Sequence, residues 1–545
     1  MDASPIIIQE NKDRNKPALE LPLLTILGNK WTIGDACEGV QIFGGTGSGK
    51  TSGSGQTLAK AYLQNNFGGL VLTVKAGDAN MWKKYCKDNA RAESLIVVDQ
   101  SETMRFNFLN YLVNKQYSTV NITHVLMSAL QKTTSESNYW ENAKEQLIKN
   151  TISLLVLANG SLSIQEMYKL VLNAPKTPEE SELVFDPTLR TESAKEGLEY
   201  FKEIIAKIEA KIEANTSSEL EVLNIEELLN DEKEKPVIEK MEIEEGTVKI
   251  EKTAEEKKEE AIKLKLQKDR VRDNLLIREY HNLTLDYWKR EFPNLDPEPR
   301  SSIISMFTAL ADSLLRGELA GILSSEEPDS FYPEMIFEGS IIVMDLNLKT
   351  FKETGKMAQL IFKTIFQMAV ERERDNKPNK DTMEPIFLWI DEAQFFLTKD
   401  DVMFQTTARS CKVCSVYLTQ NYSNYLAFVG SGREKATVDA FLGVLQTKIF
   451  HCQSDPVTNN EFTSSLIGKN YKQKHTKNVS DGFLKGSTSN WMMDYKVLPW
   501  QFDQLKKGGE SNNFKVEAYI YNSGKIWNET KDNYGLVEFD QMINK

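Results

Sequence analysis

The chain has 545 residues, of which 40% are hydrophobic and 27% are charged, and its formal net charge is −13. This composition is typical of a folded protein with room for about three domains, and it excludes a wholly disordered or fibrous chain. The acidic balance argues against a surface coated with cations for nucleic acid, so phosphate contacts would have to be concentrated on a few loops.

The sequence shows no membrane-spanning or secretory segment. No apolar run reaches the roughly 18–20 residues that a spanning helix needs, and the N-terminus lacks the apolar stretch of a secretory signal. Five cysteines in so long a chain do not make a disulfide framework. We therefore expect a protein of the cytoplasm.

A zinc site is the alternative interpretation of the cysteines. Cys411 and Cys414 form a C-x-x-C motif, and His451-Cys452 follows further along the chain. A structural zinc site requires two compact pairs of ligands. The apolar run that Cys414 opens, CSVYLTQ, instead indicates a buried strand in which cysteine acts as a small hydrophobe.

Residues 1–29 are predicted to form an N-terminal arm, and residues 30–114 the first part of an α/β domain that the chain completes further on. Short β-branched runs at 40–43, 68–74 and 94–99 predict strands. Helical patterns separate these runs, and such alternation predicts a parallel sheet covered by helices on both faces.

The first of these runs leads into GGTGSGKT at residues 44–51, which satisfies the P-loop pattern G-x-x-x-x-G-K-[ST]. Glycines let backbone N–H groups converge on phosphates at the start of a helix. We expect Lys50 to reach the β- and γ-phosphates and the Thr51 hydroxyl to ligate Mg²⁺. The predicted ligands are ATP and Mg²⁺, and the predicted binding residues are Gly44, Gly45, Thr46, Gly47, Ser48, Gly49, Lys50, Thr51 and Ser52.

Two further glycines follow the P-loop pattern without being required by it. Gly53 and Gly55 each weaken the first turns of a helix by about 1 kcal/mol relative to alanine. We expect them to permit close backbone packing, with a neighbouring subunit as one candidate for the partner.

From about residue 115 to residue 300 the pattern is helical, which predicts an inserted all-α domain. Within this domain, residues 215–262 are densely charged and have too few apolar positions to form a core. We interpret them as a solvated excursion that is partly disordered. The alternative is an acidic arm that docks a partner.

Strand patterns return in residues 301–545, the second part of the nucleotide-binding domain. Apolar runs of this part lie at 339–347, 384–394, 412–421, 444–452 and 514–522. The predicted fold class is therefore α/β, a RecA-like P-loop NTPase with a mainly parallel sheet and an inserted all-α domain.

The run EPIFLWIDEAQ carries the second acidic element that a P-loop enzyme needs. We expect Asp391 to hold Mg²⁺ through water, and Glu392 to orient and deprotonate the attacking water. A switch or a small-molecule kinase does not need Glu392 as a general base, so hydrolysis is favoured. Gln420 ends the next run, where a polar side chain can sense the γ-phosphate.

In this constellation the chain resembles the HerA/FtsK superclass of ring-forming ATPases, and within it the type IV coupling proteins of conjugation (the TraG/TraD group). The motifs GGTGSGKT, WIDEAQ and YLTQN occur in the family's order. The stretch VLTVKAGDANMW takes the place of the family's D-P-K-G-E segment, and RFNFLNYL and YWENAKEQLI resemble its F-N-P-L and W-x-x-x-A motifs. The likeness spans roughly residues 30–530.

The sequence also departs from the family pattern. Thr73 stands where the family has aspartate, and Ala76 stands where it has glycine. We expect the chain to lack the family's N-terminal membrane anchor. We therefore expect either a soluble relative or one that partner proteins recruit to the inner membrane.

The resemblance implies a homohexameric ring with ATP at subunit interfaces and DNA in the central channel. Such a site needs a cation from the next subunit, as an arginine finger supplies. Arg409 is the first candidate and Arg433 the second. The loop from Gly430 to Lys435 could instead face the channel and bind DNA phosphates.

The leading functional hypothesis is an ATP-driven motor that translocates DNA in conjugation or a related transfer process. One alternative is an ATP-dependent adaptor that recruits protein substrates to a secretion or defence complex. Another is a defence-associated ATPase that works with a nuclease.

Overall fold

The computed structural model describes residues 3–9, 18–101, 103–129, 138–190, 197–212, 282–316, 319–325, 328–375, 377, 380–429, 434–480 and 483–542. The charged excursion 215–262 lies outside these residues. The chain divides into two compact units, one made of Met1–Phe106, Val125–Ser135 and Glu318–Lys545 and the other of Asn107–His124 and Glu136–Gly317. In the described part of the chain, all strands belong to the first unit.

A ten-stranded sheet forms the centre of the first unit, in the order β1-β15-β14-β11-β5-β10-β9-β6-β8-β7. From β11 to β7 each strand runs parallel to its neighbours, and β14 is antiparallel to both β11 and β15. The strands of this sheet are β1 (Ser4–Pro5), β5 (Val40–Phe43), β6 (Gly68–Leu72), β7 (Leu95–Val98), β8 (Ile341–Met344), β9 (Ile386–Ile390), β10 (Val413–Thr419), β11 (Thr447–Phe450), β14 (Lys515–Asn522) and β15 (Tyr534–Asp540).

The central strands are buried along their whole length, which explains their continuous apolar sequences. Every residue of β5, β9 and β10 is buried, as expected for parallel strands covered on both faces. Between sheet and helix, Trp82 packs at 5.4 Å against Trp389 and at 5.6 Å against Phe387 (ring centroids). The predicted α/β fold with a mainly parallel sheet is confirmed.

Helices connect these strands and cover the sheet. Those of the first unit are Ile33–Cys37, Gln56–Gln64, Asp78–Asp88, Ala320–Leu323, Glu334–Phe337, Leu348–Val370, Asp400–Ala408, Tyr422–Val429, Glu434–Val444 and Ser465–Ile467. The long helix Leu348–Val370 is kinked at Lys352, whose backbone has φ 47° and ψ −129°.

Two smaller sheets complete the first unit. The N-terminal segment forms a three-stranded antiparallel sheet from β2 (Ile7–Ile8), β3 (Pro22–Ile26) and β4 (Asn29–Thr32). Further along the chain, β12 (Lys469–Ser480) and β13 (Phe483–Tyr495) pair with each other as a two-stranded ribbon. The sequence analysis did not identify any of these five strands.

The second unit is helical in its described residues. Its helices are Phe108–Asn114, Asn138–Asn159, Ile164–Leu172, Pro178–Phe185, Pro187–Arg190, 199–212, 282–286 and Pro297–Leu315, and Thr119–Ala129 crosses the boundary between the units. The buried ring of Trp288 lies 5.4 Å from that of Phe201 and 5.0 Å from that of Phe292. An aromatic cluster therefore forms part of its core.

Among the described helices, no single one has the length and apolar character of a membrane span. The segments Tyr139–Asn159 and Ile164–Leu172 meet those criteria only as a pair, and they are bent by 110° relative to each other.

Candidate nucleotide-binding site

The glycine-rich loop after β5 adopts a conformation that other residues could not share. Gly47 and Gly49 have positive φ values of 71° and 85°, which L-residues rarely adopt. A Cβ atom on Gly44 would lie 2.4 Å from Ser48 Oγ, and one on Gly49 would lie 2.7 Å from the Val516 side chain. The sequence pattern of the P-loop is therefore imposed by backbone geometry and by close packing.

The helix after this loop begins with a turn of π-helix, Thr51–Gly55, and continues as Gln56–Gln64. A Cβ on Gly53 would lie 3.1 Å from Val516 of β14. One on Gly55 would lie 3.0 Å from the Lys50 carbonyl oxygen. Both glycines thus permit close packing within this chain, and the neighbouring subunit that the sequence analysis considered is not needed to explain them.

A buried histidine supports the start of this helix. His451, which follows β11, is fully buried, and its Nε2 lies 2.7 Å from the Ser54 hydroxyl. Its Nδ1 lies 3.2 Å from the Glu517 carbonyl oxygen and therefore carries the proton. Burial, opposed in part by this hydrogen bond, lowers the pKa of His451 to about 3, so the ring is neutral at physiological pH.

The P-loop lines a cavity of about 290 Å³. Residues from four separate parts of the chain meet there because β6, β5, β9 and β10 are parallel and end at the same edge of the sheet. The lining residues are Gly45, Thr46, Gly47, Ser48, Gly49, Lys50, Thr51, Ser52, Lys75, Met81, Glu392 and Gln420. The cavity thus brings together most of the site residues that the sequence predicts.

One buried polar atom in the P-loop lacks a partner. Ser48 is 1% exposed, and its Oγ makes no hydrogen bond in the described part of the chain. A hydroxyl that is buried without a partner is costly unless a ligand or water satisfies it. The wall of the cavity therefore offers an unused hydrogen-bond donor to a phosphate oxygen.

Asp391 and Glu392 follow β9 directly and are 5% and 3% exposed. Glu392 adopts a left-handed backbone with φ 49° and ψ 54°, a conformation that costs of order 1–3 kcal/mol outside glycine. Its backbone N–H donates to Asp391 Oδ1 at 2.9 Å. Glu392 lines the cavity, and the Asp391 carboxylate lies beside it, with its Oδ2 4.0 Å from Lys75 Nζ.

Two lysines contact the Glu392 carboxylate. Lys75 Nζ donates to Glu392 Oε1 at 2.8 Å, and Lys50 Nζ lies 3.6 Å from the same oxygen. Burial alone would raise the pKa of Glu392, but Lys50 and Lys75 outweigh it and lower that pKa. For Asp391, burial prevails over the same two lysines and raises its pKa.

An amide chain links Glu392 to the next strand. Gln394 Nε2 donates to Glu392 Oε2 at 3.2 Å, and Thr419 Oγ1 donates to Gln394 Oε1 at 2.7 Å. Gln420 follows Thr419 at the end of β10 and lines the cavity. Gln394 thus connects Glu392, which the sequence assigns to water activation, to Thr419, the residue that precedes Gln420.

Comparison with known proteins identifies the fold. The conjugative coupling protein TrwB in its unbound monoclinic form is 13% identical, with 100% of this chain and 94% of that chain covered and a TM-score of 0.55. TrwB in a trigonal form with sulphate is 12% identical, covering 100% and 95%, with a TM-score of 0.56. TrwB in complex with ADP and Mg²⁺ is 12% identical, covering 100% and 94%, with a TM-score of 0.52.

This chain has the fold of the bacterial coupling protein TrwB. The resemblance inferred from the motifs is thereby confirmed at the level of fold, although no family model and no curated protein matches the sequence. At 12–13% identity the likeness to TrwB defines the fold alone, so the chemistry has to be argued from the residues of this site.

On the TrwB-like fold, Arg409 lies away from its own cavity. It follows the helix Asp400–Ala408 and precedes β10, so it lies at the edge of the sheet where strands begin, opposite the P-loop. Its side chain is 60% exposed, and its Nη1 lies 3.2 Å from Glu38 Oε1. Arg433, the other candidate for an arginine finger, lies outside the described residues.

The sequence analysis missed three residues of this site, namely Lys75, Gln394 and Met81. Lys75 and Met81 lie in the stretch that takes the place of the family's D-P-K-G-E segment, so the resemblance was a usable signal. Thr73, at the position where that family has aspartate, is buried and donates to the Met344 carbonyl oxygen at 2.8 Å. It fastens β6 to β8 and does not line the cavity.

The oxygen donors of the site fit Mg²⁺. This ion is usually held by one or two carboxylates together with substrate phosphates and waters. Thr51 lines the cavity, and Asp391 follows β9 at the same sheet edge. No group of three or more His, Cys, Asp or Glu side chains that could hold a metal occurs among the described residues. The donor set therefore suits an ion bound jointly with a nucleotide.

The cysteines of the C-x-x-C motif lie in the core. Cys411 and Cys414 are buried free thiols, and Cys414 Sγ lies 3.5 Å from Cys37 Sγ. Burial raises the pKa of both Cys411 and Cys414, which disfavours the thiolate form that binds metals.

Proposed function

We propose that this protein is an Mg²⁺-dependent ATPase that translocates DNA as a ring of identical subunits in conjugation or a related transfer process. The observation that carries the proposal is the contact of Lys50 and Lys75 with Glu392 in a cavity lined by a P-loop. It occurs on the fold of a conjugative coupling protein.

In the proposed reaction, the P-loop binds the ATP phosphates, and these phosphates attract Lys50 and Lys75 away from Glu392. Lys50 binds the β- and γ-phosphates, as in other P-loop enzymes. Loss of its cationic partners raises the pKa of Glu392 and makes the carboxylate a stronger base. Nucleotide binding itself thereby prepares the base.

Glu392 then accepts a proton from a water molecule whose oxygen attacks the γ-phosphorus. The bond between that phosphorus and the oxygen bridging to the β-phosphate breaks, which yields ADP and inorganic phosphate. Thr51, and Asp391 through water, would hold Mg²⁺, which would supply positive charge to the phosphate oxygens. Gln420 senses the γ-phosphate and, through Thr419 and Gln394, reports its departure.

The ring assembly is proposed to complete this site with a cation from the next subunit. Arg409 is the candidate because it is exposed and lies at the sheet edge opposite its own cavity, so it can serve only another subunit. Arg409 would then leave its contact with Glu38 and bind the γ-phosphate of the ATP held by that subunit. An arginine in this role contributes roughly 10³–10⁵ in kcat.

DNA is proposed to run through the channel of the ring and to contact the loop 430–435. Residues 430–433 lie outside the described part of the chain, and Lys435, at the start of the helix Glu434–Val444, is exposed. Contacts of this kind bind phosphates irrespective of sequence and weaken with salt.

The decisive experiment measures phosphate release with and without DNA. We expect DNA to stimulate hydrolysis and salt to reduce this stimulation. Lys50→Ala should lose turnover, whereas Glu392→Gln should bind ATP normally and hydrolyse it roughly 10²–10⁴-fold more slowly. Normal turnover in either variant would refute the site. Turnover that responds to a protein partner but not to DNA would replace the motor with an adaptor.

A further inference from the structure

The ribbon of β12 and β13 is a feature that nucleotide hydrolysis does not use. Its strands of 12 and 13 residues pair from Lys469 with Tyr495 to Ser480 with Phe483. At about 3.4 Å per residue, such strands span roughly 40 Å. No other described strand pairs with the ribbon, so it forms a separate arm on the first unit.

The half of the ribbon nearest the protein body exposes aromatic side chains to solvent. In its antiparallel register Tyr471 is opposite Met493, and Trp491 is opposite Gln473. These pairs lie on the same face, since side chains two residues apart along a strand point the same way. Tyr471, Trp491 and Met493 are 60%, 66% and 58% exposed. Exposed apolar surface gathered in this way marks a binding surface.

The charge of the ribbon is opposite to that of the chain. Residues 469–495 contain five lysines and two aspartates, whereas the whole chain carries −13. Lys469 Nζ lies 4.7 Å from the centre of the Tyr495 ring, on the aromatic face. Lys474 lies on the opposite face, and its Nζ is 3.6 Å from Asp494 Oδ2. Of the ribbon lysines with described side chains, Lys469 therefore accompanies the aromatic rings, and the others lie on the opposite face.

We propose that this ribbon binds single-stranded nucleic acid, with bases stacked on Trp491 and Tyr471 and with phosphates near its lysines. Aromatic platforms beside cations are the means by which proteins bind unpaired strands without sequence preference. The two rings are diagonal neighbours across the ribbon, roughly 7–8 Å apart between Cα positions, so neighbouring bases of one strand can each reach a ring.

The other candidate occupants fit these observations less well. A DNA duplex keeps its bases stacked on one another and presents only their edges in the grooves, so it offers nothing to the faces of the two rings. A protein partner would account for the aromatic and methionine side chains, but lysine is depleted at protein interfaces. The lysines thus favour an anionic strand.

This inference rests on the proposed function only for the identity of the strand as DNA. Tyr471 and Trp491 do not line the nucleotide cavity, so the ribbon can be tested without ATP. Lys50→Ala, which should lose turnover, should keep wild-type affinity for single-stranded DNA. DNA-stimulated ATPase activity without DNA binding by the ribbon would support the proposed function alone. DNA binding by the ribbon in a chain without ATPase activity would support the ribbon proposal alone.

The test uses the full chain and the fluorescence anisotropy of a labelled oligothymidylate of about 20 nucleotides, longer than typical site sizes of roughly 4–16. We expect Trp491→Ala to weaken binding by about tenfold, and Trp491→Phe, which keeps a ring, to weaken it by less than about threefold. Trp500→Ala is the matched control, because Trp500 is 53% exposed and lies outside the ribbon. It should bind like the wild type.

Three results would overturn the proposal. The first is equal affinity of Trp491→Ala and Trp500→Ala for the oligothymidylate. The second is tighter binding of a duplex of the same length, with the same loss in Trp491→Ala. The third is a change in oligomeric state by light scattering in Trp491→Ala with unchanged DNA affinity, which would assign the ribbon to contacts between copies of this chain.

Discussion

Replacing Lys75 with methionine tests the electrostatic arrangement of the site. The side chain keeps its length and apolar stem but loses the charge that lies 2.8 Å from Glu392 Oε1. Lys50 remains 3.6 Å from the same oxygen. With one of its two cations removed, the ionised form of Glu392 is less stable. The pKa of Glu392 should therefore rise.

The size of this rise follows from Coulomb's law and from exposure. Two unit charges about 4 Å apart interact by roughly 1 kcal/mol in water and by roughly 4 kcal/mol at an effective dielectric constant of 20. Because 44% of the Lys75 side chain is exposed, the lower end applies. An interaction of about 1.4 kcal/mol corresponds to roughly one pH unit.

The assay is the pH dependence of kcat/KM for ATP, whose acidic limb reports the base of the free enzyme. In Lys75→Met this limb should move to higher pH by roughly one unit. Lys75→Arg, which retains the charge, should restore it. Lys84→Met removes an exposed lysine from the helix Asp78–Asp88 outside the cavity and should leave the limb in place. An unmoved or acid-shifted limb in Lys75→Met would refute the reasoning.

Three further substitutions test other parts of the structure. Arg409→Ala subunits should regain ATPase activity when mixed with Glu392→Gln subunits, because the latter supply the arginine and the former supply the catalytic glutamate. No recovery of activity would exclude Arg409 as the arginine finger. Lys363→Met removes the cation that lies 2.6 Å from the buried carboxylate of Asp401 and should lower the free energy of unfolding in urea by about 3–5 kcal/mol; an unchanged free energy of unfolding would contradict the buried ion pair. The pKa of His451 is about 3 in the folded chain and 6.5 in the reference state, so the unfolded chain binds the proton first as the pH falls. The free energy of unfolding should therefore decrease by up to about 1.4 kcal/mol for each pH unit as the pH is lowered from 6.5 to 3. His451→Gln should show a shallower dependence, and an unchanged slope would contradict the assigned neutral ring.

The central strands could be predicted because burial on both faces leaves a signature in the sequence. The runs containing β5, β9 and β10 are mostly apolar, since each strand is covered on both sides. Asp391 and Gln420 could be placed at one sheet edge for the same reason, because parallel strands carry their following residues to a common side. The local hydrophobic pattern and the parallel topology were therefore sufficient to predict these strands and the position of these two residues.

The ribbon could not be predicted because it has no buried face in its described part. The alternation that identifies a strand arises when one side packs on a core. In β12 and β13, polar and apolar side chains are exposed together, as Gln473 and Trp491 show. The stretch therefore resembles a loop. Lys75 was missed for a different reason, since its partner Glu392 is 317 residues away in the sequence.

The order of the strands explains how one bound phosphate can act on several residues at once. Lys75 follows β6, Glu392 follows β9 and Gln420 follows β10, and these three strands are adjacent. These three residues consequently lie in a row beside the P-loop. Lys75 contacts Glu392 at 2.8 Å, and Gln394 connects Glu392 to Thr419, the residue before Gln420. In the proposed reaction, a γ-phosphate that attracts Lys75 releases Glu392, and the hydrogen bonds through Gln394 pass that change to Thr419 beside Gln420. Gln394 does not line the nucleotide cavity, so we expect Gln394→Ala to uncouple γ-phosphate sensing from hydrolysis while leaving ATP affinity intact.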